Sequence, residues 1–131
     1  MKNVFSFIAY YLLYTVWFAF SLLPFCILYV LSDFLYFISY YVVKYRRRVI
    51  RMNITSSFPE KNENELRAIE KGFYHWFCDY LVETIKLMTM SKQQLMRHLV
   101  FTGTDVIDKY IEEERSCGVY LGHYGQWEWI T

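Results

Sequence analysis

The pattern of apolar and polar positions changes character at residue 44. From Val4 to Val43 apolar residues are nearly continuous, and Asp33 is the single charged residue. From Lys44 onward apolar residues recur at helical spacing and charged residues are frequent. At 131 residues the chain has room for one domain and an anchor. We therefore assign residues 1–43 to a membrane anchor and residues 44–131 to a cytoplasmic domain.

Residues 4–22 form an uncharged segment that suits a membrane-spanning helix. A helix of that length is about 28 Å long, close to the thickness of a bilayer core. Pro24 then interrupts the helical pattern. A cleaved signal peptide is disfavoured, because the apolar run is too long and no small-residue cleavage site follows it.

The second apolar segment, residues 25–43, allows two interpretations. It is long enough to span a bilayer, but Asp33 lies near its middle, where a carboxylate costs about 3 kcal/mol. Its repeated tyrosines prefer the headgroup level of a membrane. We predict a helix that lies in or near the interface and packs against the domain, with a second membrane helix as the alternative.

A basic run from Lys44 to Arg51 carries five positive charges. Lys and Arg beside a membrane segment stay on the cytoplasmic side, which predicts that the following domain is cytoplasmic. These charges also attract anionic headgroups. Nucleic-acid binding is disfavoured, because the run adjoins an apolar segment and no recognition motif follows.

Three helices are predicted in the first part of the domain. One continues from Arg46 to Ser57 and ends at Phe58-Pro59. A long helix runs from about Glu63 to Met88, and its polar face holds Arg67, Glu70, Lys71, Asp79, Glu83 and Lys86. Its apolar stripe, expected in the core, comprises Leu66, Ile69, Phe73, Trp76, Phe77, Tyr80, Leu81, Leu87 and Met88. Ser91-x-x-Gln94 is a capping box for a short helix that ends near His98.

The remaining pattern predicts an α/β fold with a βαβ unit. Residues 99–102 and 119–121 are short apolar runs bounded by glycine, and both are predicted to be strands. Thr104 or Asp105 caps a helix between them that extends to about Arg115. Strand, helix and strand imply a parallel pair. Parallel sheets are usually larger and covered on both faces, so the pattern calls for further strands.

His123 directly follows the second predicted strand, and Glu128 lies five residues further on. If a helix starts after Gly125, Glu128 occupies its first turn and can reach back to the imidazole. A carboxylate fixes the tautomer of a histidine and raises its basicity, which suits a general base for a hydroxyl group. The alternative is a structural role, with His123 as a helix cap and Glu128 as an ordinary first-turn acid.

Metal and disulfide chemistry find little support in the sequence. The three cysteines, Cys26, Cys78 and Cys117, are far apart and form no C-x-x-C pair. The spacing of His98, Cys117, His123 and Glu128 fits no common set of zinc ligands. We expect no metal and no cofactor.

The segment Gly122-His-Tyr-Gly-Gln-Trp-Glu-Trp129 resembles the catalytic motif of the bacterial lipid A biosynthesis acyltransferases. The apolar N-terminus, the basic run, Asn53 and Ser57-Phe-Pro-Glu60 occur in the order found in that family. The bare His-x-x-x-x-Glu pattern belongs to the wider glycerolipid acyltransferase superfamily, whereas the flanking glycines and tryptophans are more specific.

The resemblance implies an enzyme of lipopolysaccharide biosynthesis at the cytoplasmic face of the inner membrane. It would transfer a fatty acyl group from acyl carrier protein to a hydroxyl of a lipid A precursor. His123 would be the general base and Glu128 would orient it. Gly122 and Gly125 would let the backbone approach the substrate, and Arg46, Arg47 and Arg48 would face lipid phosphates or the acidic carrier protein.

Members of that family are about twice as long, and the sequence ends three residues after Glu128. We therefore expect the N-terminal part of a glycerolipid-acyltransferase-like fold, which would be inactive by itself. Two alternatives remain open. One is an acyltransferase for another glycerolipid or an aminolipid, and the other is a non-catalytic, membrane-anchored fragment.

Overall fold

The computed structural model describes residues 2–130, which form two compact units that divide between Thr89 and Met90. The helices of the first unit are α1 (Lys2–Leu22), α2 (Phe25–Phe37), α3 (Arg47–Ser57) and α4 (Glu63–Lys86). A π-helical turn, Ile38–Val42, extends α2, and a 3₁₀ turn, Leu87–Thr89, follows α4. The second unit contains α5 (Lys92–His98), α6 (Asp105–Glu112) and a 3₁₀ turn, Trp127–Ile130.

The predicted α/β fold is wrong, because residues 2–130 contain helices and turns but no strand. Both predicted strands, residues 99–102 and 119–121, are irregular segments. Val100 is 80% exposed and Tyr120 is 100% exposed, so neither side chain lies in a core. A short apolar run becomes a strand only where another strand pairs with its peptide groups, and within the described residues these runs have no such partner.

Two helical segments, Val4–Leu22 and Phe25–Val42, are long and apolar enough to cross a membrane, judged by length and composition. They weakly suggest that the protein associates with a membrane. Pro24 separates them, because it carries no N–H to continue α1, and it becomes the N-cap of α2. Most side chains of α1 are exposed in the isolated chain, including Phe5, Leu13 and Trp17.

α2 runs antiparallel to α4, and three polar pairs connect the two helices. The Tyr29 hydroxyl donates to Glu83 at 2.9 Å, and the Ser32 hydroxyl donates to Asp79 at 2.6 Å. Next along the two helices, His75 Nε2 lies 3.2 Å from Asp33 Oδ1. Asp33, the isolated charge of the apolar segment, therefore has its partner on α4.

The predicted boundaries of α3, α4 and α5 are confirmed to within a few residues. α3 ends at Ser57 before the Phe58-Pro59 pair, as the sequence predicts. Asn62 caps α4 in a reciprocal capping box with Glu65. Ser91 and Gln94 form the predicted capping box of α5.

The buried face of α4 differs from the predicted one. Phe73 and Trp76 of the predicted apolar stripe are 37% and 43% exposed. Two members of the predicted polar face, Glu70 and Lys86, are buried instead. The buried side chains follow one row at four-residue spacing: Leu66, Glu70, Tyr74, Cys78, Val82 and Lys86. Glu70 and Lys86 of this row bind polar groups of α3 and of the end of α1, and hydrophobic periodicity does not detect such partners.

Candidate functional site

The predicted motif lies in the second unit, at the turn that leads into the last 3₁₀ segment. Gly125 adopts a left-handed φ of +61° and lies in a bend that leads into the 3₁₀ segment. Glu128 then falls in the first turn of Trp127–Ile130. The His123 side chain is exposed and Glu128 is half-buried.

Two aromatic contacts hold this turn in place. The His123 and Trp127 rings meet edge to face, with centroids 4.4 Å apart. Trp129 is 8% exposed and lies against His98 at the end of α5, with ring centroids 5.8 Å apart. Trp129 therefore fixes the 3₁₀ turn to α5, while the His123 imidazole stays open to an approaching substrate.

The structure brings His123 and Trp127 into contact and places Glu128 in the next position along the chain. An imidazole in this position can accept a proton from a molecule that approaches from solvent. The pairing of His123 with Glu128 stays a prediction.

The two glycines of the motif differ in their conformational requirement. Gly125 has a positive φ, which favours glycine, whereas the φ of Gly122 is not positive. The carbonyl oxygen of Gly122 accepts a hydrogen bond from Tyr124 N at 2.9 Å. A Cβ at either position would meet no atom within 4 Å. Close approach to a substrate therefore stays a prediction for both glycines.

The basic run lies in the first unit, and its arginines differ in what they contact. Arg47 Nε donates to the buried carboxylate of Glu70 at 2.9 Å, and its guanidinium lies 4.9 Å from the centre of the Tyr40 ring. Arg46 is exposed in a left-handed conformation at the N-terminus of α3. Arg48 is exposed at the start of the same helix.

Arg51, the last residue of the basic run, joins it to Arg67 and Lys71 of α4, which the sequence prediction did not include in the site. Arg51 bridges Glu70 and Glu63, and Arg67 Nε also donates to Glu63 at 2.9 Å. Arg67 and Lys71, one helical turn apart on α4, line the same cavity as Arg48. In the sequence, the four-residue spacing of Arg67 and Lys71 places both cations on one face of α4, and this spacing could have indicated that they form a basic group with α3.

Two carboxyl groups near this network have perturbed pKa values. The hydrogen bond from Arg67, aided by Arg51, lowers the pKa of the Glu63 carboxyl below its ordinary value. The hydrogen bond from the Asn62 backbone N–H lowers the pKa of Glu65. Both carboxylates are exposed to solvent, so salt screens these interactions.

Within residues 2–130, no group of three or more His, Cys, Asp and Glu side chains is arranged to hold a metal ion. The three cysteines are free thiols. Cys78 is buried on α4, and burial raises the pKa of its thiol. Cys26 and Cys117 are exposed.

A comparison with protein families matches residues 2–130 to the bacterial lipid A biosynthesis acyltransferases. The protein therefore belongs to this family of acyltransferases, and the resemblance noted in the sequence is confirmed. Membership implies a lipid A precursor as the acyl acceptor, together with an acyl donor. No match was found among curated proteins or among solved structures.

Proposed function

We propose that this protein transfers a fatty acyl group from acyl carrier protein to a hydroxyl of a lipid A precursor at the inner membrane. The observation that carries the proposal is the family match over residues 2–130, which includes the motif from His123 to Glu128. The exposed imidazole of His123 adds support, because a general base must reach a substrate hydroxyl.

The reaction needs one proton carrier and no covalent enzyme intermediate. His123 takes the proton of the acceptor hydroxyl while the oxygen attacks the thioester carbonyl carbon. The C–S bond then breaks, and the departing thiolate recovers the proton from the imidazolium. Glu128 acts as a positioning residue that holds the imidazole in the required tautomer and stabilises its positive charge.

The N-terminal helices attach the enzyme to the membrane that contains its lipid substrate. In this proposal α1 crosses the bilayer, and Lys44 onward lies on the cytoplasmic side, because the basic run follows the apolar segment. α2 lies in the membrane–water interface. Three polar pairs along α2 connect it to α4 and favour this placement over a position in the hydrocarbon core. The pair with His75 gives Asp33 a partner outside the hydrocarbon.

Substrate contacts are assigned to the glycines of the motif and to the basic run. Gly122 and Gly125 leave open space beside the His123 backbone. Arg46, Arg47 and Arg48 provide positive charge toward lipid phosphates or the acidic carrier protein. Arg47 contributes from a fixed position, since Glu70 holds its guanidinium.

An acyl-transfer assay with two donors tests this proposal. The protein from its natural gene, purified in detergent, is given a lipid A precursor and a labelled acyl group on acyl carrier protein or on coenzyme A. We expect product from the carrier-protein thioester, and a loss of at least about 10²- to 10⁴-fold for His123→Ala. An unchanged rate in His123→Ala would refute the mechanism, and a preference for coenzyme A would refute the donor.

A further inference from the structure

Charged side chains form most of the lining of a cavity in the first unit. It has a volume of about 680 Å³ and lies where the end of the second apolar segment meets α3 and the first half of α4. Its cationic side chains are Arg47, Arg48, Arg51, Arg67 and Lys71. Two carboxylates, Glu63 and Glu70, also line it, so the cavity has an excess of positive charge.

Internal ion pairs use only part of this charge. Glu70 is 1% exposed and accepts from Arg47 and Arg51, which fixes both guanidinium groups. Glu63 accepts from Arg51 and Arg67. Within the described residues, Arg48 and Lys71 form no ion pair, although both are at the cavity. Arg48 and Lys71 are therefore available to bind an anion, and the ion pairs of Glu70 and Glu63 hold the side chains around them in place.

The position of the cavity relative to the apolar segment indicates what kind of anion it suits. Tyr40 and Tyr41, which line the cavity, belong to the last turn of Phe25–Val42. Val42 and Val43 beyond them are 64% and 62% exposed. Tyrosine and arginine side by side at the end of an apolar helix match the depth of lipid headgroups.

We propose that this cavity binds the phosphate group of a membrane lipid, with Arg48 and Lys71 as its direct cationic contacts. Arg67 supports the site through its remaining N–H groups, because Glu63 engages only its Nε. A guanidinium donates two parallel hydrogen bonds to phosphate oxygens, and an ammonium adds a point charge. The proposal rests on the membrane placement given above, but it requires no turnover.

This assignment differs from the basic run that the sequence singles out. Arg47 is committed to Glu70 and Tyr40, and Arg46 is not among the residues that line the cavity. The phosphate contacts therefore come from α3 and α4 together. The site is concave and adjoins an apolar segment. A lipid headgroup fits such a site better than the broad surface of the acidic carrier protein.

The test is a binding titration with the full chain in a zwitterionic detergent. The probes are dihexanoyl phosphatidic acid, dihexanoyl phosphatidylcholine, inorganic phosphate and acyl carrier protein. The variant Arg48→Gln/Lys71→Gln removes two charges at the cavity. Lys92→Gln/Arg97→Gln removes two charges from α5 and serves as the matched control. Far-UV circular dichroism verifies that each protein is helical, and Lys71→Gln alone replaces the double variant if that variant unfolds.

We expect phosphatidic acid to bind, and the cavity variant to bind it at least tenfold more weakly, at about a fivefold loss per charge. The control should bind within twofold of the wild type, and phosphatidylcholine should bind weakly to all three proteins. Equal affinity of the wild type and the cavity variant for phosphatidic acid would overturn the site. Inorganic phosphate that binds as tightly as phosphatidic acid would overturn the lipid assignment. A cavity variant that loses only its affinity for the carrier protein would also overturn it.

Lipid binding by His123→Ala separates the failure of this site from the failure of the proposed reaction. A cavity variant that loses affinity for phosphatidic acid while His123→Ala retains it supports the lipid site whether or not the proposed reaction is correct. Loss of lipid binding in His123→Ala, in contrast, would place the phosphate contacts at the motif and overturn the proposal.

Discussion

Glu70 is a charged residue at the centre of the packing in the first unit. Hydrophobic periodicity assigned it to the solvent face of α4, yet it is 1% exposed. Burial of a carboxylate is costly unless it is paired and hydrogen-bonded, and Arg47 and Arg51 meet both conditions. Both arginines lie in the basic run, so the run stabilises the packing of α3 against α4 and also provides positive charge at the surface.

We predict that Glu70→Ala destabilises the first unit by about 2 kcal/mol or more, because it leaves two partly buried guanidinium groups without their carboxylate. The change is measured by thermal unfolding in detergent, with Glu60→Ala, an exposed acid, as the control. A melting temperature for Glu70→Ala equal to that of the control would show that the network contributes nothing.

The capping box at the start of α4 predicts a dependence of stability on pH. The folded state lowers the pKa of Glu65 below its unfolded value of about 4.3. The ionised carboxylate therefore stabilises the helix above that unfolded value, and the stabilisation is lost as the pH falls through the folded pKa. Glu65→Gln keeps an acceptor for the Asn62 N–H but has no charge to lose.

Unfolding temperatures at pH 7 and pH 3 test this prediction, and the wild type should lose more stability between the two than Glu65→Gln. Identical losses in both proteins would show that other groups carry the pH dependence. Low ionic strength is required, since salt screens exposed charges.

Helices with local start and stop signals could be predicted from the sequence, and elements that depend on distant partners could not. The capping boxes at Asn62 and Ser91 and the Phe58-Pro59 stop act within a few residues. The strands predicted at residues 99–102 and 119–121 are absent, because a strand forms only where another strand pairs with it, and a local apolar run carries no information about such a partner. The inner face of α4 depends on Ser21 and Arg47, which lie far from it in sequence.

The same reasoning applies to the candidate site. The sequence motif predicts His123 and Glu128 as the catalytic pair, which stays a prediction, and the structure adds the contact of His123 with Trp127 and of Trp129 with His98. The cavity residues Arg67 and Lys71 escaped prediction because they join Arg48 only when α3 packs against α4.

α4 also fixes the end of α1, through the buried ammonium group of Lys86. Its Nζ donates to the carbonyl oxygens of Ser21 and Leu23, each at 2.9 Å. A cation at a helix C-terminus satisfies carbonyl groups that have no partner within the helix and interacts favourably with the helix dipole. One side chain therefore connects the proposed spanning helix to the rest of the first unit.

We predict that Lys86→Met lowers the melting temperature by about 5 °C or more, because two hydrogen bonds from a charged donor are lost. Lys92→Met, an exposed lysine on α5, is the control. If both substitutions shift the melting temperature equally, Lys86 does not anchor α1.

At the scale of the whole molecule, the proposed topology places residues after Lys44 in the cytoplasm. Cys117 is exposed and can report this directly. In a Cys26→Ser/Cys78→Ser background, a membrane-impermeant maleimide should leave Cys117 unlabelled in intact spheroplasts and label it after lysis. Labelling before lysis would place the second unit on the periplasmic side and contradict the topology.

The central claim is that His123, oriented by Glu128, performs acyl transfer to a lipid A precursor. The most direct measurement is the mass of lipid A from cells that lack the natural gene and carry a plasmid copy of it. The wild-type gene and Gln93→Ala, an exposed control on α5, should restore the missing acyl chain. His123→Ala should leave lipid A one acyl chain short, and Glu128→Gln should restore only a small fraction. Full acylation by His123→Ala would contradict the account.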